Sequence, residues 1–368
     1  MDRPEHSPTT ASLASRDISP KPWSTCSGWI VRWLLFFLIC LGLGYSALER
    51  YDPRIAAGLS DSSVYYRLVS GEEVQAREIR FRVLVPYVAK PFYALARKFL
   101  DPARAVYLAL LISNSLFCAT AVCLLVSIGI HVTSNPVVAL LAGTLYLLNF
   151  AISNLQLAGM VDAGEACLIL AVTVSLFGDR WWLLPLWGLL GALAKETFLP
   201  LAGVLVLVWW YVEYRKGQNR VSRLLPISAM LIVALATTIL LRLAIPGTSF
   251  VGDVFNKSHA GSGRFSGLAG AMFSRTFWYV FIWLLPLGLV RLNRLPRPWV
   301  FASIFSALTA LALGVYRDIG GNVARAMFDV TGPILSLSTA ILLTGSAVRT
   351  QGGLSERGQL RISMSDSD

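Results

Sequence analysis

The stretch that decides the fold is Trp181–Trp210, "WWLLPLWGLLGALAKETFLPLAGVLVLVWW". It is almost wholly apolar, yet an adjacent lysine and glutamate, Lys195 and Glu196, stand in its middle. One continuous helix over 181–214, at about 1.5 Å per residue, overshoots a hydrocarbon layer of about 30 Å by a wide margin. Two short spans meeting at Lys195–Pro200 fit instead, and Pro200, with no N–H to give, supports a break there. Charged side chains enter hydrocarbon only at a cost, so the pair needs a reason. Two readings are open: a polar site lined by the break, or a local pair at a helix end whose lysine snorkels to the interface.

The rest of the chain is of the same kind. Its 368 residues are 55% hydrophobic and 14% charged, with a mean hydropathy of +0.61; a soluble domain carries about 25% charged residues. Apolar runs recur near 29–47, 104–130, 136–158, 162–178, 181–195, 198–214, 223–245, 273–290, 299–315 and 326–346. The sequence therefore predicts an all-α integral membrane protein with about ten transmembrane helices. Residues 1–27, rich in Ser, Thr and Pro, and the polar residues 348–368 are expected to be disordered cytoplasmic tails around a polytopic domain at 28–347. The run from Trp29 is too long for a signal-peptide core.

The net charge of +11 has a membrane explanation in cytoplasmic loops and anionic lipid. No nucleic-acid motif or zinc-ligand spacing accompanies it. The five cysteines suggest neither a metal site nor a disulfide framework. Arg and Lys in the short loops favour an N-in, C-in arrangement. Residues 48–103 then form a long first extracytoplasmic loop. Its second half, "IRFRVLVPYVAKPFYALARKFL" (79–100), mixes large apolar residues with periodic Arg and Lys, as interfacial amphipathic helices do. A second outer loop, 246–272, is rich in Gly and Ser, contains His259, and is expected to be a flexible cover.

With this topology several outer turns deliver polar residues to one face. "GLSDSSVYYRL" (58–68) brings Asp61, with Glu72 and Glu73 further on. "GMVDAGEA" (159–166) brings Asp162 and Glu165, the break brings Lys195 and Glu196, and "YRDIGGNVARAMFD" (316–329) brings Arg317, Asp318 and Arg325. Each has a plainer reading. Asp61 is a solvated loop acid, Asp162 an N-terminal helix cap, and Arg317 and Arg325 are anchors at the membrane edge. The functional reading rests on convergence, because polar residues at membrane depth mark substrate pathways. A carboxylate there can serve as general base to a hydroxyl. Two carboxylates can hold a divalent cation, and Arg or Lys can hold phosphate oxygens.

The segments "DSSVYYRLVSG", "RFRVLVPYVAKPF", "GMVDAGEA" and "GALAKETFLPLAG", in that order, resemble the polytopic membrane glycosyltransferases of the GT-C superfamily. The resemblance covers roughly residues 29–215. It implies transfer of a sugar from a polyprenyl-phosphate donor to an acceptor at the extracytoplasmic face of a bacterial inner membrane, with membrane lipids and no nucleic acid as partners. It implies Asp61 as general base or metal ligand, supported by Asp162. Lys195, Arg325, Arg317 and Arg82 would face donor phosphate, with Glu196 orienting Lys195. A divalent cation, Mg or Mn, is implied for many members, with Asp61 and Glu165 as the ligands available here. Asp61 is followed by Ser62 and Ser63 rather than by a second acid, which departs from a metal-binding acidic pair. The rival readings are a transporter or flippase, for which paired charges at a broken helix also serve, and a cell-surface polysaccharide polymerase or ligase.

Overall fold

A computed structural model describes residues 26–50, 61–72, 81–217, 221–244, 269–270, 272–317 and 320–345. The expected tails lie outside them, apart from the first residues of the opening helix, as does most of the 246–272 loop. Every regular element among the described residues is helical: α1 Cys26–Arg50, α2 Ser62–Ser70, α3 Leu84–Ala96, α4 Pro102–Thr133, α5 Pro136–Leu147, α6 Asp162–Phe177, α7 Leu184–Ala194, α8 Phe198–Arg215, α9 Leu224–Ala244, α10 Arg275–Phe281, α11 Leu284–Val290, α12 Arg297–Arg317 and α13 Gly320–Thr344. Six of these helices, α1, α4, α8, α9, α12 and α13, are long and apolar enough to cross a membrane. The chain is an all-helical, multi-pass membrane protein.

Each apolar run of the sequence is helical, but several do not form one full-length span. The run 136–158 stops at Leu147, because Asn149 takes over the backbone. Its side-chain oxygen accepts from the Ala151 N–H at 2.9 Å, and its amide nitrogen donates to the Val280 carbonyl, also at 2.9 Å. The chain then re-enters as a single π-helical turn, Ile152–Gln156. The run 273–290 divides between α10 and α11, as Pro286 requires, since it cannot return a hydrogen bond to the carbonyl of residue 282. The run 181–214 breaks between α7 and α8 as expected, four residues before Pro200 at Glu196.

Local chemistry starts the best-defined helices. Asp101 and Asn135 cap α4 and α5, accepting from the N–H groups of Arg104 and Val137, and a proline follows each cap. α4 is the central post, packed against α1, α3, α5 and α6. α13 lies against α5, α11 and α12, α8 packs on α12, and α7 packs on α9. A smaller core joins the loop helices to the post, through Tyr65 and Val69 of α2, Val85 and Ala89 of α3, and Val106 and Leu110 of α4. α2 and α3 each bury one face against the bundle. α2 buries Tyr65 and exposes Arg67, and α3 buries Val85 and exposes Tyr87. Their apolar faces are turned to the bundle.

Candidate active site

The site is built where the α7–α8 break meets the start of α6, the upper turns of α13 and the loop before α3. Gly191 makes the break possible. A Cβ there would meet the ring of Phe198 at 2.1 Å, so only glycine lets the first turn of α8 fold back against the end of α7. Lys195 leaves α7 in an extended conformation, φ −167° and ψ 144°. The chain turns at Glu196 and Thr197, and the two charges go to different partners.

Lys195 turns inward. Its Nζ lies 2.6 Å from Asp162 Oδ1 and 2.7 Å from Glu165 Oε2. All three side chains are buried, at 8%, 2% and 0% exposure, so the lysine does not snorkel to an interface. Asp162 is the first residue of α6 and Val161 holds the cap position, so the capping role for Asp162 gives way to ion pairing. Its second oxygen accepts from Arg325 Nη1 at 3.0 Å. Glu165, one turn further along α6, accepts at Oε1 from the Thr197 hydroxyl at 2.6 Å. Asp329, one turn beyond Arg325 on α13, accepts from Gln156 Nε2 at 3.1 Å and leaves Oδ2 buried with no hydrogen-bond partner among the described residues.

Glu196 turns the other way and forms a fork with Arg82, Nε at 3.0 Å and Nη2 at 2.7 Å. Arg82 also donates to the Tyr65 hydroxyl at 2.9 Å and stands 3.8 Å from Asp61 Oδ2. Burial on its own pushes the Glu196 carboxyl up, but the charge and hydrogen bonds of Arg82 outweigh it and hold the group down at about 2. Burial pushes the Tyr65 phenol up to about 12, against the pull of Arg82.

The sequence-expected residues Asp61, Arg82, Asp162, Glu165, Lys195, Glu196 and Arg325 are therefore brought together. The expectation that Glu196 orients Lys195 is replaced by its fork with Arg82. The side chain of Arg317 lies outside the described residues, as do Glu73 and His259; Glu72 accepts locally from Ser70 at 3.0 Å. The cluster also holds Asp329, Gln156, Tyr65 and Thr197, which sequence reading does not single out. Asp329 had a signal, four residues after Arg325 and so on the same helix face.

Asp162, Glu165 and Asp329 offer carboxylate oxygens that all lie within 4.8 Å of one another; Asp61 is not one of this group. A divalent cation there would need to displace Lys195, whose ammonium already sits between two of the three, and would share Asp162 with Arg325. The residues of this group fit an internal ammonium rather than a metal ion.

No family model matches the chain, and no curated protein matches it. A solved structure does, and the likeness shows a shared fold. It is the crystal structure of ArnT from Cupriavidus metallidurans bound to undecaprenyl phosphate, with a TM-score of 0.58 and 15% sequence identity over 92% of this chain. The chain spans 63% of the length of that ArnT chain.

Proposed function

We propose that the chain is a membrane glycosyltransferase that moves a sugar from a polyprenyl-phosphate donor to a hydroxyl acceptor at the outer face of the membrane. The observation that carries this reading is the position of Asp61. Through Arg82 it is one side chain from Glu196, and Glu196 adjoins the Lys195–Asp162–Arg325 cluster. A carboxylate for a base and cations for a phosphate thus share one end of a GT-C-like bundle. The solved relative of this fold was captured with a polyprenyl phosphate, which supports the donor class.

The acceptor oxygen forms the new bond to the anomeric carbon. The bond from that carbon to the donor phosphate oxygen breaks, and its electron pair leaves with the polyprenyl phosphate. Asp61 takes the acceptor proton. Arg325 gives one N–H to Asp162 and, with five donors on the guanidinium, has others to face phosphate oxygens. Lys195, held by two carboxylates, fixes Asp162 and through it the orientation of Arg325. Arg82 is committed to Glu196 and Tyr65 and positions Asp61. Electrostatic stabilisation of the leaving phosphate by a fixed cation is the largest effect such a site offers.

A transporter also places ion pairs at helix breaks. The tie from the break through Arg82 to Asp61, together with the fold shared with ArnT, favours transfer. The test is incubation of the purified protein with labelled polyprenyl-phosphate sugars and a lipid-linked acceptor pool. Label moving from the donor supports the reading, and no transfer across the panel contradicts it.

A further inference from the structure

A second recess lies at the other end of α8. α8 begins beside the candidate site, where Thr197 binds Glu165, and runs 18 residues to Arg215, about 27 Å at 1.5 Å per residue. Between its last turns and the first turns of α12 is an open groove of about 780 Å³. Its walls are apolar and aromatic, with Leu207 and Tyr211 on α8 facing Phe301 and Phe305 on α12, all four substantially exposed. Its mouth carries three cations, Arg215, Lys216 and Arg297, and no carboxylate lines it.

Among the described residues these cations form no ion pair. Glu213, the acid nearest in sequence to Arg215, accepts from Trp209 at 3.2 Å and pairs with Arg223. Arg223 in turn is buried against Asp179 and the Trp181 ring, 4.5 Å from the ring centroid. Among the described residues no carboxylate comes within ion-pair distance of Arg215, Lys216 or Arg297. Cations at the ends of two apolar spans suit lipid headgroups, and apolar walls beside them suit acyl chains.

We infer that this groove is a binding site for one anionic phospholipid of the adjacent leaflet. Its phosphate is held by Arg215, Lys216 and Arg297, and an acyl chain lies between Leu207, Tyr211, Phe301 and Phe305. Basic recesses between spanning helices recognise anionic headgroups, and each nearby Lys or Arg adds about fivefold in binding. The apolar walls distinguish a lipid from a free anion. A zwitterionic headgroup presents a compensating positive charge to the same three cations and is disfavoured. The site is separate from the candidate active site and stands whether or not that site transfers sugar.

The test is native mass spectrometry of the full chain in neutral detergent, with equal amounts of phosphatidylglycerol and phosphatidylcholine. The expected result is one retained phosphatidylglycerol in preference to phosphatidylcholine. The preference should fall about fivefold for each of Arg215→Gln, Lys216→Gln and Arg297→Gln taken singly, and vanish in the triple variant. A wild-type protein that retains both lipids equally overturns the inference, whatever the variants do. Variants that keep the wild-type preference overturn it too. Displacement of the lipid by millimolar inorganic phosphate would mark a bare anion site and overturn the lipid assignment.

Discussion

Arg82 and Glu196, 114 positions apart, form a two-bonded fork that ties the first loop to the break between α7 and α8. The pair is mostly buried, at 14% and 17% side-chain exposure. Arg82→Gln leaves the Glu196 charge buried and uncompensated. Loss of one partner of such a pair costs about 3–5 kcal/mol when fully buried, and somewhat less at this residual exposure. The melting temperature in detergent should fall in Arg82→Gln and in Glu196→Gln, and the double variant should lose less than the sum. An additive double variant contradicts the fork.

The same fork sets an acid limit. Glu196 is held at about 2 against an ordinary value of 4.5. A depressed carboxyl contributes stability that is complete above its ordinary value and is lost as pH falls through its folded value. The contribution should be flat from neutral pH to about 5 and disappear between 4.5 and about 2. Thermal unfolding followed against pH should therefore show a shallower acid slope in Glu196→Gln than in wild type over that window. Parallel slopes would count against the assignment.

Lys195 stands between Asp162 and Glu165 as their common counter-ion. Lys195→Met should destabilise strongly, by about 3–5 kcal/mol, because buried Glu165 loses its counter-ion and Asp162 one of its two. Lys195→Met combined with Asp162→Asn should recover part of that loss. The readout is the melting temperature, and no recovery in the pair would mean that the two residues act independently.

Arg325 is the cation with donors to spare. Arg325→Lys keeps the charge beside Asp162 but removes the planar fork. KM for the lipid-phosphate donor should rise by roughly tenfold or more, one tenfold step being about 1.4 kcal/mol, with a smaller change in kcat. A change confined to kcat would remove Arg325 from donor binding.

Gly191 sets the geometry of the break, since a Cβ there meets the Phe198 ring at 2.1 Å. Gly191→Ala should lower activity by displacing Lys195 and Glu196, and Gly191→Ala with Phe198→Leu should recover part of it. A fully active Gly191→Ala protein would show that the turn is not held by this contact.

The break at Lys195–Glu196 is legible in the sequence because two charges and a proline interrupt a run too long for one span. The partners of the two charges are not. The backbone is extended at Lys195 and turns at Glu196, so adjacency in "KE" suggests a mutual pair where the chain builds two separate ones. Asp162 reads as a helix cap for a related reason, since its place at a helix start is a local fact and its bonds to Lys195 and Arg325 span 33 and 163 positions. Asp329 and Gln156, 173 positions apart, meet only through the packing of α13 on α5 and α6. The short α10 and α11 and the early stop of α5 depend on Pro286 and Asn149, whose effects hydropathy does not register.

The most direct measurement compares wild type and Asp61→Asn in the transfer of label from a polyprenyl-phosphate sugar, with expression and donor binding measured in the same preparations. A general base contributes about 10²–10⁴-fold. The expected result is transfer by wild type and a fall of at least about a hundredfold in kcat for Asp61→Asn, with donor binding retained. Full activity of the Asp61→Asn protein contradicts the proposed mechanism.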